Sequence, residues 1–288
     1  MNNKLLLSHK SQEPENSVLY IVGTPIGNLS DISFRALNIF RNVSLIACED
    51  TRQTKKIMSK FKFTNNLISF NKHNSIKKIP NIINDLNHGK SIALVSDAGM
   101  PTICDPGENL IREAKSNGIS IICVPGPCAA ITALASSGLP SSKFTFEGFF
   151  PKKKREREIL LNEISQNDKT TILFESPHRL KKLLRELKEY CGGERKIQVS
   201  RELTKKFEEH IGNNIQDVIS HFDKNEVVGE ITVVIDGINK PKKNVQINEY
   251  ELKKDLHDLI NAGLSISEAS KYLAKKNNLR KNLIYKMY

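Results

Sequence analysis

The sequence predicts two α/β domains, a parallel-sheet N-terminal domain and a mixed-sheet second domain, followed by a small C-terminal helical appendage. Three observations carry this. From about residue 18, short apolar runs alternate with helical patterns, as βαβ units on a parallel sheet require. The runs are apolar almost throughout, as strands covered on both faces are. Beyond Gly138-Leu139-Pro140, strand-like segments near KIQVS leave no room for an intervening helix, which calls for antiparallel pairing and a mixed sheet.

Taken in order, VLYIV (18–22) precedes the helical pattern SFRALNIFRN, and SLIA (44–47) precedes DTRQTKKIMSKF. LISF (67–70) leads to SIKKIPNIINDLNHG, with Pro80 inside it and Gly89 as its stop. SIALV (91–95) leads to ENLIREAKSNG, and ISIICV (119–124) to CAAITALASSG. The second domain reads FTFEGF (144–149), the basic run KKKRERE, TTILF (170–174), a helix from His178 to Tyr190, KIQVS (196–200), KFEEHIG (206–212) and EITVVID (230–236). The expected boundaries are a disordered tail over 1–17, domains over 18–139 and 140–238, and a linker with a helical tail over 239–288. In that tail Ser267 is the expected N-cap, with Ala269, Tyr272 and Leu273 at apolar spacing.

Composition narrows the class. Apolar content of 39% with 26% charged residues is ordinary for a soluble globular protein. Five cysteines, an odd number with no CxxC pair, favour a reducing cytoplasm over disulfides or zinc, and no His cluster has metal-ligand spacing. Residues 1–17 have neither a signal-peptide nor a membrane-span pattern; Pro125, Gly126 and Pro127 break the longest uncharged stretch, so no membrane association is expected. The net charge of +12 suits an anionic partner, although 33 Lys against 11 Arg also fits AT-rich coding. Residues 238–288 hold 11 Lys/Arg against 5 Asp/Glu, so half of the excess lies in under a fifth of the chain.

In an open parallel sheet, ligands bind beyond the carboxyl ends of the strands. Those ends fall into two groups. GTPIGN (23–28), SDAGMP (96–101) and PGPCAA (125–130) are small and nearly neutral, with Asp97 their one charge. Such loops bring backbone groups close to a ligand. Their prolines lack the N–H groups that a phosphate needs, so the expected cofactor is not held through phosphate. CEDTRQT (48–54), NKHN (71–74), ESPHRL (175–180) and RELTK (201–205) are charged. A small cofactor beside a polar substrate is the combination that results. Further along, Asp105 and Pro106 of DPG read as the start of the next helix, which narrows the ligand-facing part of SDAGMPTICDPG to Ser96 through Gly99.

The stretches LYIVGTPIGNLSDIS, IACEDTRQT, ALVSDAGMPTICDPG, VPGPCAAITALASSGLP, FEGFFP, FESPHRL, SRELTK and LRKNLIYK run in order across nearly the whole chain beyond Val18. In them the sequence resembles the tetrapyrrole-methylase-like (class III) S-adenosylmethionine-dependent methyltransferases, most closely the branch acting on ribosomal RNA. Met100 departs from the threonine frequent in that family, and Ser75 from its glutamate. The resemblance implies 2′-O-methylation of a cytidine ribose in 16S rRNA at the decoding centre of the small ribosomal subunit. It also implies a homodimer and S-adenosyl-L-methionine in an interdomain cleft. Carried over residue by residue, Thr24, Pro25, Gly27, Ser96, Asp97, Ala98, Gly99, Cys128 and Ala129 are the cofactor contacts.

Methyl transfer to a hydroxyl needs two positioned reactants and a proton acceptor. Asp50 and His73 lead the candidates, with Glu49, Glu175 and His178 behind them. Arg52, Arg179 and Arg201 would pair with RNA phosphates or a developing alkoxide, Arg52 therefore counting as both catalytic and RNA-binding. Lys152 and Lys153 of the basic run, and Lys275 and Arg280 of the tail, with Lys276 and Lys281 beside them, are further RNA contacts. Two other classes stay open: a small-molecule tetrapyrrole methyltransferase, and a non-catalytic RNA-binding protein.

Overall fold

The structure is a computed structural model that describes residues 13–238, 249–277, 279 and 281–288. The expected tail over 1–17 lies largely outside the described residues, as do the linker residues 239–248 and Arg280.

Strands β1 (Val18–Val22), β2 (Leu45–Cys48), β3 (Leu67–Ser69), β4 (Ile92–Val95) and β5 (Ser120–Val124) form a parallel sheet in the order β3-β2-β4-β1-β5. Helices α1 (Phe34–Asn42) and α2 (Thr51–Lys60) cover one face, and α3 (Ser75–Asn87) and α4 (Glu108–Ser116) the other. The local sequence explains these helices. Ser33 caps α1 by accepting the Ala36 N–H. Ile79, Ile82, Ile83 and Leu86 of α3 recur at one-face spacing and are all buried. Burying four such side chains stabilises the sheet face by about 1.5–3 kcal/mol each.

The second sheet runs β6-β7-β10-β8-β9, from β6 (Phe144–Phe149), β7 (Thr170–Glu175), β8 (Lys196–Arg201), β9 (Glu209–Asn214) and β10 (Ile231–Ile235). β6 and β7 are parallel, β10 is antiparallel to β7 and β8, and β9 is antiparallel to β8, so this sheet is mixed. Helix α5 (Ala129–Ser137) follows β5 but packs Ala130, Ala133 and Leu134 against Ile172 and Val234 of the second sheet. It thereby ties the two sheets into one unit ending at Ile238. On the far face, α6 (Lys154–Gln166), α7 (Pro177–Cys191) and α8 (Ile215–Lys224) bury a leucine-rich core. The sequence pattern misses α6 and α8. The basic run is in fact the start of α6, where Lys153–Glu156 and Arg157–Glu186 ion pairs compensate its charge.

A separate unit holds α9 (Glu249–Asn261), α10 (Ile266–Asn277) and α11 (Lys281–Tyr285) around Leu252, Leu256, Ala269, Leu273, Ala274 and Ile284. Two features of this unit differ from the sequence pattern. Ser265, not Ser267, caps α10: its Oγ accepts the Glu268 N–H, while the Glu268 carboxylate accepts the Ser265 N–H and hydroxyl, a reciprocal capping box. Tyr272 is exposed rather than core. Lys275 is exposed on the same helix.

Candidate active site

The strand order sorts the loops by chemistry. β4, β1 and β5 are neighbours, so the three neutral loops meet at one half of the sheet's carboxyl edge. β2 and β3 are neighbours too, and their charged loops take the other half. The neutral loops are stitched together through the backbone. Thr24 and Gly99 exchange N–H···O bonds of 2.9 and 3.1 Å, and the Gly23 N–H donates to Val124 O at 3.2 Å. Buried Thr24 and Ser96 point their hydroxyls at carbonyls of the same loop.

These loops form one wall of a cavity of about 390 Å³, ordinary for a small-molecule site. Ala98, Gly99, Met100, Cys128 and Ala129 line it from the first sheet, together with Ile103, Cys104 and Asp105. Phe149, Phe174, Glu175, Leu203, Glu230 and Ile231 line it from the second. Of the nine expected cofactor contacts, Ala98, Gly99, Cys128 and Ala129 reach the cavity. Thr24, Pro25, Gly27, Ser96 and Asp97 do not line it. Gly27 instead lies against the second half, where a Cβ would come within 2.8 Å of Thr204 Oγ1. Asp97 accepts the Asp50 N–H at 2.9 Å and so fastens the neutral loops to the charged ones. Burial pushes its pKa up, and the neighbouring Asp50 charge adds to that.

The charged half forms a second, polar pocket lined by Glu49, Asp50, Thr51, Arg52, Ser69, Asn71, Lys72 and His73. Asp50 is the N-cap of α2, accepting the Arg52 N–H, and its two oxygens also grip the Arg52 guanidinium at 2.6–3.0 Å. These bonds from Arg52 pull its pKa down to about 2. An acid with a lowered folded pKa stabilises the fold above its unfolded pKa and loses that contribution as pH falls through the folded one. The Asp50→Asn variant is therefore expected to show a weaker acid dependence of Tm between about pH 4 and about 2 than the parent. An acid titration followed by thermal melting checks this; identical curves would contradict it.

Two of the expected RNA-facing arginines are committed internally. Arg179 donates to Glu175 Oε1 and to Phe150 O, and Arg201 pairs with Glu209 across the β8–β9 hairpin. Arg52 differs: its side chain is 86% exposed despite its pairing. Lys152 and Lys153 are exposed beside α6. His178 lies in the first turn of α7 and outside both pockets.

Asp105 requires a correction. It does not cap α4, which starts at Glu108 after Gly107 and has no side-chain cap bond. Thr102 and Cys104 adopt φ of 75° and 71°, left-handed values that non-glycine residues avoid at a cost of roughly 1–3 kcal/mol each. The loop so bent delivers Asp105 to the cavity. Glu230 and Ile231 were also missed, because they open a strand rather than close one. β10 runs antiparallel, so Ile231 pairs with both Glu175 and Arg201 and its amino end meets their carboxyl ends.

Solved structures share this architecture. Uroporphyrin-III C-methyltransferase from Thermus thermophilus, complexed with S-adenyl homocysteine, superposes with a TM-score of 0.54 at 13% identity, over 80% of this chain and 99% of that one. Diphthine synthase gives 0.57 at 13% identity, over 76% and 89%. The fold is thus that of the class III methyltransferases. The family model for Tetrapyrrole (Corrin/Porphyrin) Methylases matches residues 18–219. The protein named "Ribosomal RNA small subunit methyltransferase I" in Synechocystis is 41% identical over 94% of this chain and 96% of its own length. Its namesake in Thermotoga maritima is 48% identical over 76% and 98%. The chain belongs to the tetrapyrrole methylase family and, within it, to the ribosomal RNA small subunit methyltransferase I group.

S-adenosylmethionine is the cofactor of this family, and the cavity fits it. Asp105, Glu175 and Glu230 are acidic, the last two paired with Arg179 and Lys205 outside the lining, and no Lys or Arg is among the lining residues. Such a cavity favours a cation such as a sulfonium or ammonium and disfavours a phosphate. Gly23 and Gly126 meet so closely that a Cβ on Gly23 would lie 2.6 Å from Gly126 Cα, so the wall is set by backbone. Bound there, the cofactor supplies a methyl carbon already activated by positive sulfur. Ala98, Gly99, Cys128 and Ala129 would hold it by backbone and small side chains. Among the described residues no helix is long and apolar enough to span a membrane, and no group of His, Cys, Asp or Glu is placed to hold a metal.

Proposed function

We propose that this chain transfers a methyl group from S-adenosylmethionine to the 2′-hydroxyl of a cytidine ribose in 16S rRNA, at the decoding centre of the small ribosomal subunit. The observation that carries this reading is the division of one sheet edge into a neutral, backbone-lined cofactor half and a charged half for a polyanion. The printed names of the relatives supply the small-subunit rRNA. In the N-terminal domain (18–139), Thr24, Pro25, Gly27, Ser96 and Asp97 act from behind the cavity wall, shaping the loops that hold the cofactor.

Around the substrate, Arg52 faces RNA phosphate while Asp50 holds its guanidinium in place. A carboxylate with so low a pKa is a poor proton acceptor, so Asp50 serves to position Arg52. His73 lines the same pocket and contacts the ribose or phosphate. Glu175, buried in its ion pair, shapes the cavity floor of the second domain (140–238). Arg179 and Arg201 support RNA binding indirectly by fixing Glu175 and the hairpin. Lys152, Lys153 and the Lys275 face of the basic tail make outer phosphate contacts. The enzyme works as a cytoplasmic homodimer.

Arg52→Ala is expected to leave S-adenosylmethionine affinity unchanged and lower methyl transfer to 30S subunits by about 10-fold or more. Calorimetry with the cofactor and a labelled-methyl assay separate the two effects. Equal loss of both would contradict the division into cofactor and substrate halves.

A further inference from the structure

We infer that Asp105 is the catalytic residue that accepts the ribose hydroxyl proton during methyl transfer. This rests on the functional reading above and adds to it the group that removes the proton.

Position is the first ground. Asp105 follows β4, the central strand, whose loop lies between the neutral β1 loop and the charged β2 loop. Asp105 lines the cofactor cavity, and Lys72 of the polar pocket acts on its charge. Among the described residues none lines both pockets, and Asp105, a lining acid of the first, interacts electrostatically with Lys72 and Glu49 of the second. A hydroxyl entering from the charged side to meet a methyl group on the neutral side passes this carboxylate.

Backbone conformation is the second ground. A D-P-G sequence before a helix would ordinarily cap it. Here the left-handed Thr102 and Cys104 divert the chain, and α4 goes uncapped by a side chain. Conformations of this kind persist where the surrounding structure enforces them, and they cluster at active sites. The Gly107 that ends the detour cannot carry a Cβ, which would lie 2.8 Å from Leu94 Cδ2.

The environment suits proton transfer. The charged and titratable groups around Asp105 are Lys72 from the β3 loop, Asp97 from its own loop, Glu49 from β2 and Cys104 beside it. Glu175 of β7 lines the same cavity. Burial raises the pKa of Asp105, partly offset by Ser96 and Lys72, which brings it nearer to working pH than Asp50. The step balances. The ribose oxygen forms the new carbon–oxygen bond as the methyl carbon–sulfur bond breaks, its electron pair remaining on sulfur. The hydroxyl proton passes to the Asp105 carboxylate and then to water.

The test uses the full chain with unmethylated 30S subunits, in single-turnover methyl transfer across a pH series, together with cofactor calorimetry and cofactor-free RNA binding. Asp105→Asn is expected to bind RNA within about threefold of the parent, to bind the cationic cofactor about 10-fold more weakly because one cavity acid is lost, and at saturating cofactor to transfer methyl at least about 100-fold more slowly. Parent rates should rise tenfold per pH unit below the plateau; the variant's should be flat. Asp105→Glu, which keeps the carboxylate, should recover part of the rate with a displaced pH profile, and it serves if the asparagine variant does not fold. Turnover of Asp105→Asn within tenfold of the parent overturns the inference alone. So does loss of cofactor affinity in step with activity, which would make Asp105 a cofactor contact. An inactive parent removes the functional reading and this inference with it.

Discussion

Gly23→Ala is expected to lower stability by about 1–3 kcal/mol and to abolish most of the affinity for S-adenosylmethionine. A Cβ there would fall 2.6 Å from Gly126 Cα and 2.7 Å from Met100 Sδ. A methionine end can swing aside; the Gly126 backbone cannot, because Gly126 continues into Cys128 and Ala129 at the start of α5. The β1 and β5 loops must therefore part, breaking the Gly23 N–H bond to Val124 O. The same movement shifts Cys128 and Ala129, which line the cofactor cavity. Thermal melting and cofactor calorimetry on the variant give both quantities. Unchanged affinity would mean that this contact does not set the wall.

Arg179→Ala is expected to cost roughly 3 kcal/mol, the lower end of the range for breaking a buried pair, because Arg179 is itself 26% exposed. The cost comes from Glu175, whose side chain is 1% exposed. With Arg179 gone, its Oε1 keeps only the Ser176 N–H at 2.6 Å, and Phe150 O loses a 2.5 Å donor. Denaturant unfolding of the parent and the variant checks this, and equal stability would mean that Arg179 does not compensate the buried Glu175 carboxylate. Arg179→Lys keeps the charge without the planar fork and should recover only part of the loss.

How far the sequence could be read follows from what each residue needs in order to be recognised. Parallel strands announce themselves by continuous apolar runs, and their carboxyl ends carry the ligand loops; GTPIGN, SDAGMP and PGPCAA were visible for that reason. Glu230 and Ile231 escaped because nothing in EITVVID reveals that β10 runs antiparallel. The partners of Arg179 and Arg201 are set by tertiary geometry, so exposed cations and committed ones look alike in the sequence. In KKKRERE the charges hid a helix whose apolar face, Leu160, Leu161 and Ile164, begins only later. Asp105 was misread for a related reason. Its D-P-G context matches a helix start, and nothing in it reveals the left-handed Thr102 and Cys104 or the start of α4 at Glu108.

The central claim is that the neutral and charged loops of one sheet edge deliver a methyl group from S-adenosylmethionine to small-subunit ribosomal RNA. Incubating the purified chain and labelled S-adenosylmethionine with unmethylated 30S subunits, naked 16S rRNA and porphyrinogens, then mapping the label, tests it most directly. The predicted result is incorporation at a cytidine 2′-oxygen of 16S rRNA and none into the porphyrinogens. Label in a porphyrinogen, or cofactor binding with no transfer to any form of 16S rRNA, would contradict it.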